Sequence, residues 1–218
     1  MIDSYRKLSI AKYDEAKKIM EKDIDDIDKQ VELIACLADM DIDKVYNLPL
    51  TKYEELVEKA SFLLELPKPK NNLPNKLSIG DRNYRIMKNV EKMTTGQYID
   101  LQTYMKNDMG IAYILTTIII PEGCEYNDGK YNIDDLQKDI YNNFNIEDAI
   151  SIAFFLRRQL QIIIEGTLHF LDWKMKKMEK KMPQEQKTKT KKVREMLKMK
   201  KVREMLKGLE TNGLGNTW

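Results

Sequence analysis

From Asn145 to the residue before Pro183 the chain contains no proline, and its apolar side chains recur at helical spacing. A single helix over residues 146–182 is the strongest constraint on the fold, because everything else must pack around it. At 100° per residue, its Ile, Leu, Phe, Ala and Trp side chains cover most of the helical wheel as far as Trp173. One narrow polar stripe remains, formed by Arg158, Gln161, Glu165, His169 and Asp172. The pattern predicts the central pillar of a helical bundle with that stripe at its wet edge. Arg157 falls inside the apolar arc, where a guanidinium needs either an internal acid or a partner's acid. Beyond Trp173 only Met175, Met178 and Met182 interrupt the charges, so the pillar should leave the body as a cationic extension.

The remaining segments read as shorter helices with local start signals. Ser9 caps a helix from Ile10 to about Lys22, with Ile10, Tyr13, Ala16, Lys17 and Met20 at helical spacing. The acidic run at residues 23–28 opens a second helix with Val31, Ile34, Ala35 and Ala38 as its stripe. A turn at residues 42–46 follows, and Thr51 with Glu54 reads as a capping box for a helix to Leu66. Three prolines and three asparagines at residues 67–76 then mark a linker. Gly80-Asp81 between two short alternating runs predicts a small hairpin, which must lean on the helices because two strands alone are marginal. Thr94 and Gln97 form another capping box. Residues 109–120 are apolar almost all round, which predicts a buried helix, while the β-branched Ile and Thr residues keep a strand open. Asn-Asp-Gly at 127–129 supplies a turn. Asn132 and Asn145 cap the last two helices.

The fold class expected is mainly α: a helical bundle with one small β-hairpin and a long C-terminal basic helical extension. The organisation expected is an N-terminal helical subdomain at 1–66, a proline-rich linker and hairpin at 67–93, a helical core at 94–182, and a basic duplicated arm with a tail at 183–218.

Charge divides the chain sharply. Residues 1–173 carry 22 Lys and Arg against 30 Asp and Glu, whereas residues 174–207 carry 15 against 4. An acidic body with a basic arm points to an interaction made by the arm. Within it KKVREMLK occurs at 191–198 and again at 200–207. Nine residues at 100° each place the copies half a turn apart. Val193, Met196 and Leu197 therefore lie on one side, and Val202, Met205 and Leu206 on the other. These six are the expected partner-facing apolar residues. Lys191, Lys192, Arg194, Lys198, Lys200, Lys201, Arg203 and Lys207 are the expected nucleic-acid or partner contacts. Phosphate contacts of this kind would be steeply salt-dependent. Without an aromatic for base stacking in the arm, they would be blind to sequence.

Other chemistries find little support. The acids Asp39, Asp41 and Asp43 alternate like a calcium loop, but Lys44 and Leu50 stand where such a loop needs Gly and Glu. Glu165 and His169 share a face at i and i+4, yet His169 is the single histidine of the chain. No nucleophile elbow, phosphate loop or dinucleotide loop occurs. No catalytic residue, metal or cofactor is expected, and the chain reads as a non-enzyme. Two cysteines, Cys36 and Cys124, without metal or redox spacing suit a reducing compartment. The N-terminus lacks a secretory pattern. The longest apolar run, at 111–120, is half the roughly 20 residues a membrane span needs.

The succession IIIPEGCEYNDGKYNIDDLQKDIYNNFNIEDAISIAFFLRRQ at 118–159, then LDWKMKKMEKKM and LETNGLGNTW, resembles uncharacterised small proteins of tailed bacteriophages of gut bacteria. The likeness extends over most of the chain after Thr51 and carries no catalytic motif. It implies a virion or virion-assembly component, similar in role to tail-assembly chaperones or internal virion proteins. The partners implied are other phage structural proteins, reached through protein contacts, with a homo-oligomer also open and no membrane span. Sequence-independent double-stranded DNA is the alternative partner of the arm. The location implied is the virion, or the host cytoplasm during assembly.

Overall fold

The computed structural model describes residues 1–70, 73–74 and 76–179, and the fold within them is mainly α-helical with one small antiparallel sheet. The basic arm and all fourteen contact residues expected on it lie outside the described residues.

Helix α1 (Ile10–Met20) starts where Ser9 Oγ accepts the Lys12 N–H at 3.2 Å. Helix α2 (Asp26–Ala38) starts at Asp25, whose carboxylate accepts the Ile27 N–H, and its first turn holds Asp26 and Asp28. Acids there complement the positive end of the helix dipole. The expected turn after it is a short helix, α3 (Ile42–Tyr46). Helix α4 (Leu50–Ala60) differs from the sequence expectation, for Thr51 and Glu54 form no capping box. Pro49 takes the N-cap position, and its carbonyl accepts the N–H groups of Lys52 and Tyr53 at 2.9 and 3.0 Å. Thr51 thus already sits inside the first turn, where its backbone is helical and its hydroxyl is past the capping position. The helix also stops early, passing into a 3₁₀ turn at Ser61–Leu64.

Strands β1 (Lys76–Ile79) and β2 (Arg82–Ile86) form the expected hairpin, with Gly80 at φ +57° in the turn. Leu77, Ile79, Tyr84 and Ile86 point inward by the two-residue alternation of a strand. Helix α5 (Thr95–Lys106) has the full capping box at Thr94 and Gln97. The apolar run that follows splits in two: helix α6 (Ile111–Thr116), then strand β3 (Ile119–Pro121), which pairs with β2. The hydroxyls of Thr116 and Thr117 donate back to the carbonyls of Tyr113 and Ile114, each at 2.7 Å. Such bonds compete with helix propagation, and the β-branched Ile118 to Ile120 fit an extended partner of β2. The third strand supplies the support that an isolated hairpin lacks.

Helix α7 (Ile133–Asn143) is capped by the Asn132 side chain, and helix α8 (Ile146–Glu179) begins at Asn145, whose Oδ1 accepts the Asp148 N–H at 2.8 Å. The two capping residues Ser9 and Asn145 face one another in an antiparallel bridge. Ile10 N–H donates to the Phe144 carbonyl and Ile146 N–H to that of Leu8. The starts of α1 and α8 are thereby stitched together. The main core gathers Ile150, Ala153, Leu156 and Leu160 of α8 with Leu115, Ile118 and Ile119, the inward side of the sheet, and Leu8 and Ile10. Val31, Ile34, Val45 and Leu56 make a smaller cluster among α2, α3 and α4. Lys70 ties the proline-rich linker to α8: its backbone N–H meets Ser151 Oγ at 2.9 Å, and its ammonium meets Glu147 and Asp148 at 2.7 and 2.8 Å. Among the described residues no helix is long and apolar enough to cross a membrane.

Candidate functional site

Helix α8 is the element that reaches beyond its own core. Thirty-four residues span about 51 Å, against a diameter of roughly 40 Å for a body of about 160 residues. Among the described residues Leu160 is the last buried residue of the helix, and Ile163 the last packed on the main core. The sequence expectation of a buried pillar up to Trp173 is therefore corrected. Ile162 is 55% exposed, Phe170 54% and Trp173 52%, with Leu171 and Met178 also open to water. The physical reason is length: no described element besides α8 is placed to cover the side chains that extend past the body.

The exposed half of α8 has two distinguishable faces. On one, Ile162, Ile163, Gly166, Thr167 and Phe170 form a wall of a groove of about 680 Å³. The opposite wall is Val90, Met93, Thr94, Thr95 and Tyr98, the entry to α5. Gly166 has no side chain to fill the floor, and a Cβ there would meet nothing within 4 Å. Past the groove, the Phe170 and Trp173 rings lie 6.0 Å apart. Lys174 sits over Phe170, and Lys177 stands 5.1 Å above Trp173. Cations over ring faces are favourable, and exposed aromatic side chains beside them are the composition of a protein-docking surface.

The second face is a stripe at alternating four- and three-residue spacing: Ile164, Leu168, Leu171, Met175 and Met178. Glu165 and Asp172 each follow a stripe residue, seven residues apart, and line one edge. Arg158, Gln161, Glu165 and His169 are exposed, as the polar stripe predicts, while Asp172 is half-buried and accepts from Lys176 at 3.0 Å. Arg157 is half-buried. Gln161 Nε2 donates to Glu165 Oε1 at 3.0 Å, which gives that carboxylate a role within its own helix.

Elsewhere, Asp39 ends α2 at φ +51° and its carboxylate meets Lys12 at 2.9 Å, while Asp41 pairs with Lys44. Asp39 closes α2, Asp41 opens α3, and each pairs with a lysine. Among the described residues no group of three or more His, Cys, Asp or Glu is arranged to hold a metal ion. Burial, with Glu15 nearby, pushes the Cys36 thiol up to about 11, far from the thiolate that nucleophilic chemistry requires.

The groove wall at Thr94, Thr95 and Tyr98 was not legible beforehand, because nothing local says which helix entry will lie beside α8. The protrusion itself had a signal in the sequence. A helix longer than the body's diameter and apolar over most of its wheel must expose part of that surface. No protein-family model, curated protein or solved structure matches this chain.

Proposed function

We propose that this protein is a non-enzymatic component of a bacteriophage particle, or of its assembly, and that it works by docking other structural proteins on the outer half of α8. One observation carries the reading: a helix fixed in the core as far as Leu160 presents Ile162, Phe170 and Trp173 to solvent beside a groove. Exposed aromatic and aliphatic side chains concentrated on one rigid element are the anchors on which protein interfaces depend. The bacteriophage setting rests on the resemblance carried by residues 118–159, 171–182 and the closing tail. The basic arm extends the reading to packaged DNA or a further subunit, and the charge division between body and arm favours a polyanion as its target. An assembly chaperone that leaves before maturation would use the same groove for an apolar partner segment.

Two measurements test this. Duplex DNA binding is compared between the full chain and a chain ended at residue 182, across a salt titration. A contact made by the arm gives binding by the full chain alone, with affinity falling steeply as salt rises. Equal binding by both chains, or by neither, removes DNA from the account. In parallel, Phe170→Asp is compared with the unaltered protein for co-purification of tail and capsid proteins from infected cells. Retention of the same partners by both refutes docking on α8. Presence or absence in mature particles then separates the virion component from the chaperone.

A further inference from the structure

Nothing among the described residues accounts for a glycine at position 166. Glycine inside a helix is less stable than alanine, and a Cβ on Gly166 would meet nothing within 4 Å, so no neighbour in the fold demands its absence. What a bare backbone on an exposed helix permits is the close approach of a second backbone. The side chains around it suit that approach. Ile162 stands one turn before Gly166, and Phe170 and Trp173 one and two turns after it, on the same side. All three are about half exposed, and Tyr98, 45% exposed, extends the apolar surface across the groove onto α5.

This surface carries both halves of a contact. Among the described residues lining the groove Glu91 is the one charged side chain, and it makes no ion pair with another described residue. Phe170, on the same helix, holds Lys174 over its ring at 6.0 Å, so an aromatic knob comes with a cation attached. Within one molecule the helix keeps the knob of residues 170–174 away from the groove floor at Ile162. In two molecules related by a two-fold axis at Gly166 they meet twice. A residue n places after Gly166 then lies level with the residue n places before it in the other copy. Phe170 of each copy rests on Ile162 of the other, and Lys174 arrives beside it as the counter-charge for Glu91. The remaining charges permit this. Arg158 and Lys174 are level in such a pair, but sixteen residues at 100° place them on opposite sides of the helix. Glu165 meets Glu165 near the axis, yet each has His169 of the other copy within a turn and accepts from Gln161 of its own chain at 3.0 Å.

We propose that two copies of this protein pair through this face, their α8 helices crossing antiparallel at Gly166, with Phe170 of each seated in the groove of the other. The contact is isologous, the same surface serving as knob and as groove. It names the partner of the docking face, and it rests on the reading above for that face being an interface. Tail and capsid proteins then meet a dimer rather than a single chain.

Sedimentation velocity on the purified full chain, freed of nucleic acid, reads the pairing, and a cysteine at the axis reads its geometry. The expected result is a dimer that dissociates on dilution. Facing Cα atoms of helices about 8–10 Å apart lie within disulfide reach. Gly166→Cys therefore joins the copies by a 166–166 bond under oxygen, located by mass spectrometry of the peptides. Leu171→Cys, about 140° round the helix, does not, and the unaltered protein, with Cys36 and Cys124, sets the background. Gly166→Trp fills the crossing and raises the dissociation constant by about tenfold. Glu91→Lys raises it by a few-fold, and Lys174→Glu in the same chain reverses that effect. Circular dichroism checks that helix content is unchanged in each variant. A chain that sediments as a monomer at every concentration overturns the proposal. So does a dimer that Leu171→Cys traps as well as Gly166→Cys, or one indifferent to Gly166→Trp. Docking is judged separately. A monomer whose Phe170→Asp variant still loses tail and capsid proteins sinks the pairing and keeps the docking. A dimer joined at residue 166 whose Phe170→Asp variant retains them does the reverse.

Discussion

Replacing Gln97 by methionine tests how the wall of the groove is held. Gln97 is fully buried. Its Oε1 accepts the Thr94 N–H at 2.9 Å, and its Nε2 donates to the Thr117 carbonyl at 3.0 Å. The first bond closes the start of α5, and the second pins that helix to the junction between α6 and β3. Methionine keeps the length and the apolar stem but makes neither bond. Thr94 is exposed, so water can satisfy its N–H and the loss there is about 0.5–1 kcal/mol. Thr117 is fully buried, and a carbonyl left without this donor costs about 1–3 kcal/mol. Together these predict a loss of about 1.5–4 kcal/mol. For a chain of this size that corresponds to a fall in melting temperature of about 3–16 °C, read by circular dichroism or calorimetry. Thr94→Ala removes only the cap and should cost about 1 kcal/mol. Gln97→Glu should be worse than methionine at neutral pH, because a buried carboxylate would face the Thr117 carbonyl, and should recover in part as acid protonates it. A Gln97→Met protein that melts with the unaltered one would refute the account. So would a Thr94→Ala protein that loses as much as Gln97→Met.

Two further outcomes follow from particular side chains. At Asp148 burial raises the carboxyl, but the hydrogen bonds from Lys70 and Asn145 outweigh it and hold the group below its ordinary 3.8. A depressed carboxyl stabilises the fold above its unfolded value and loses that contribution as pH falls through the folded one. The stability gap between the unaltered protein and Asp148→Asn, measured by denaturant midpoint, should therefore be full at neutral pH and close in acid below 3.8. At Gly110 the backbone sits at φ +88°, ψ 164°, and a Cβ would touch nothing within 4 Å, so Gly110→Ala isolates backbone strain. The expected cost is about 1–3 kcal/mol. Gly96→Ala, inside α5 and with only an ordinary contact to Thr94, should instead stabilise by about 0.5–1 kcal/mol. Equal effects at the two sites would refute the distinction.

Much of the local architecture is written in short-range chemistry. Ser9, Asn132, Asn145 and the Thr94–Gln97 pair cap helices because a side-chain oxygen reaches an N–H two or three residues on, whatever the rest of the chain does. Gly80 and the Asn127–Gly129 turn have left-handed backbones for equally local reasons. The caps placed α5 and α7, and together with helical periodicity they placed α1, α2 and the start of α8. Where two local signals competed, long-range contacts decided. Residues 111–121 satisfy a helix and a strand alike, and the available edge of β2 draws the second half into the sheet. Thr51 is a good cap, yet the fixed backbone of Pro49 starts the helix earlier. The limit of burial along α8 belongs wholly to the tertiary structure. Ile162 and Ile163 are adjacent isoleucines on one helix, and only which face has neighbouring elements against it makes one 55% exposed and the other part of the core's edge. Periodicity is a property of the chain itself, whereas burial depends on what packs against it, and past Ile163 no described residue of α8 packs on the main core.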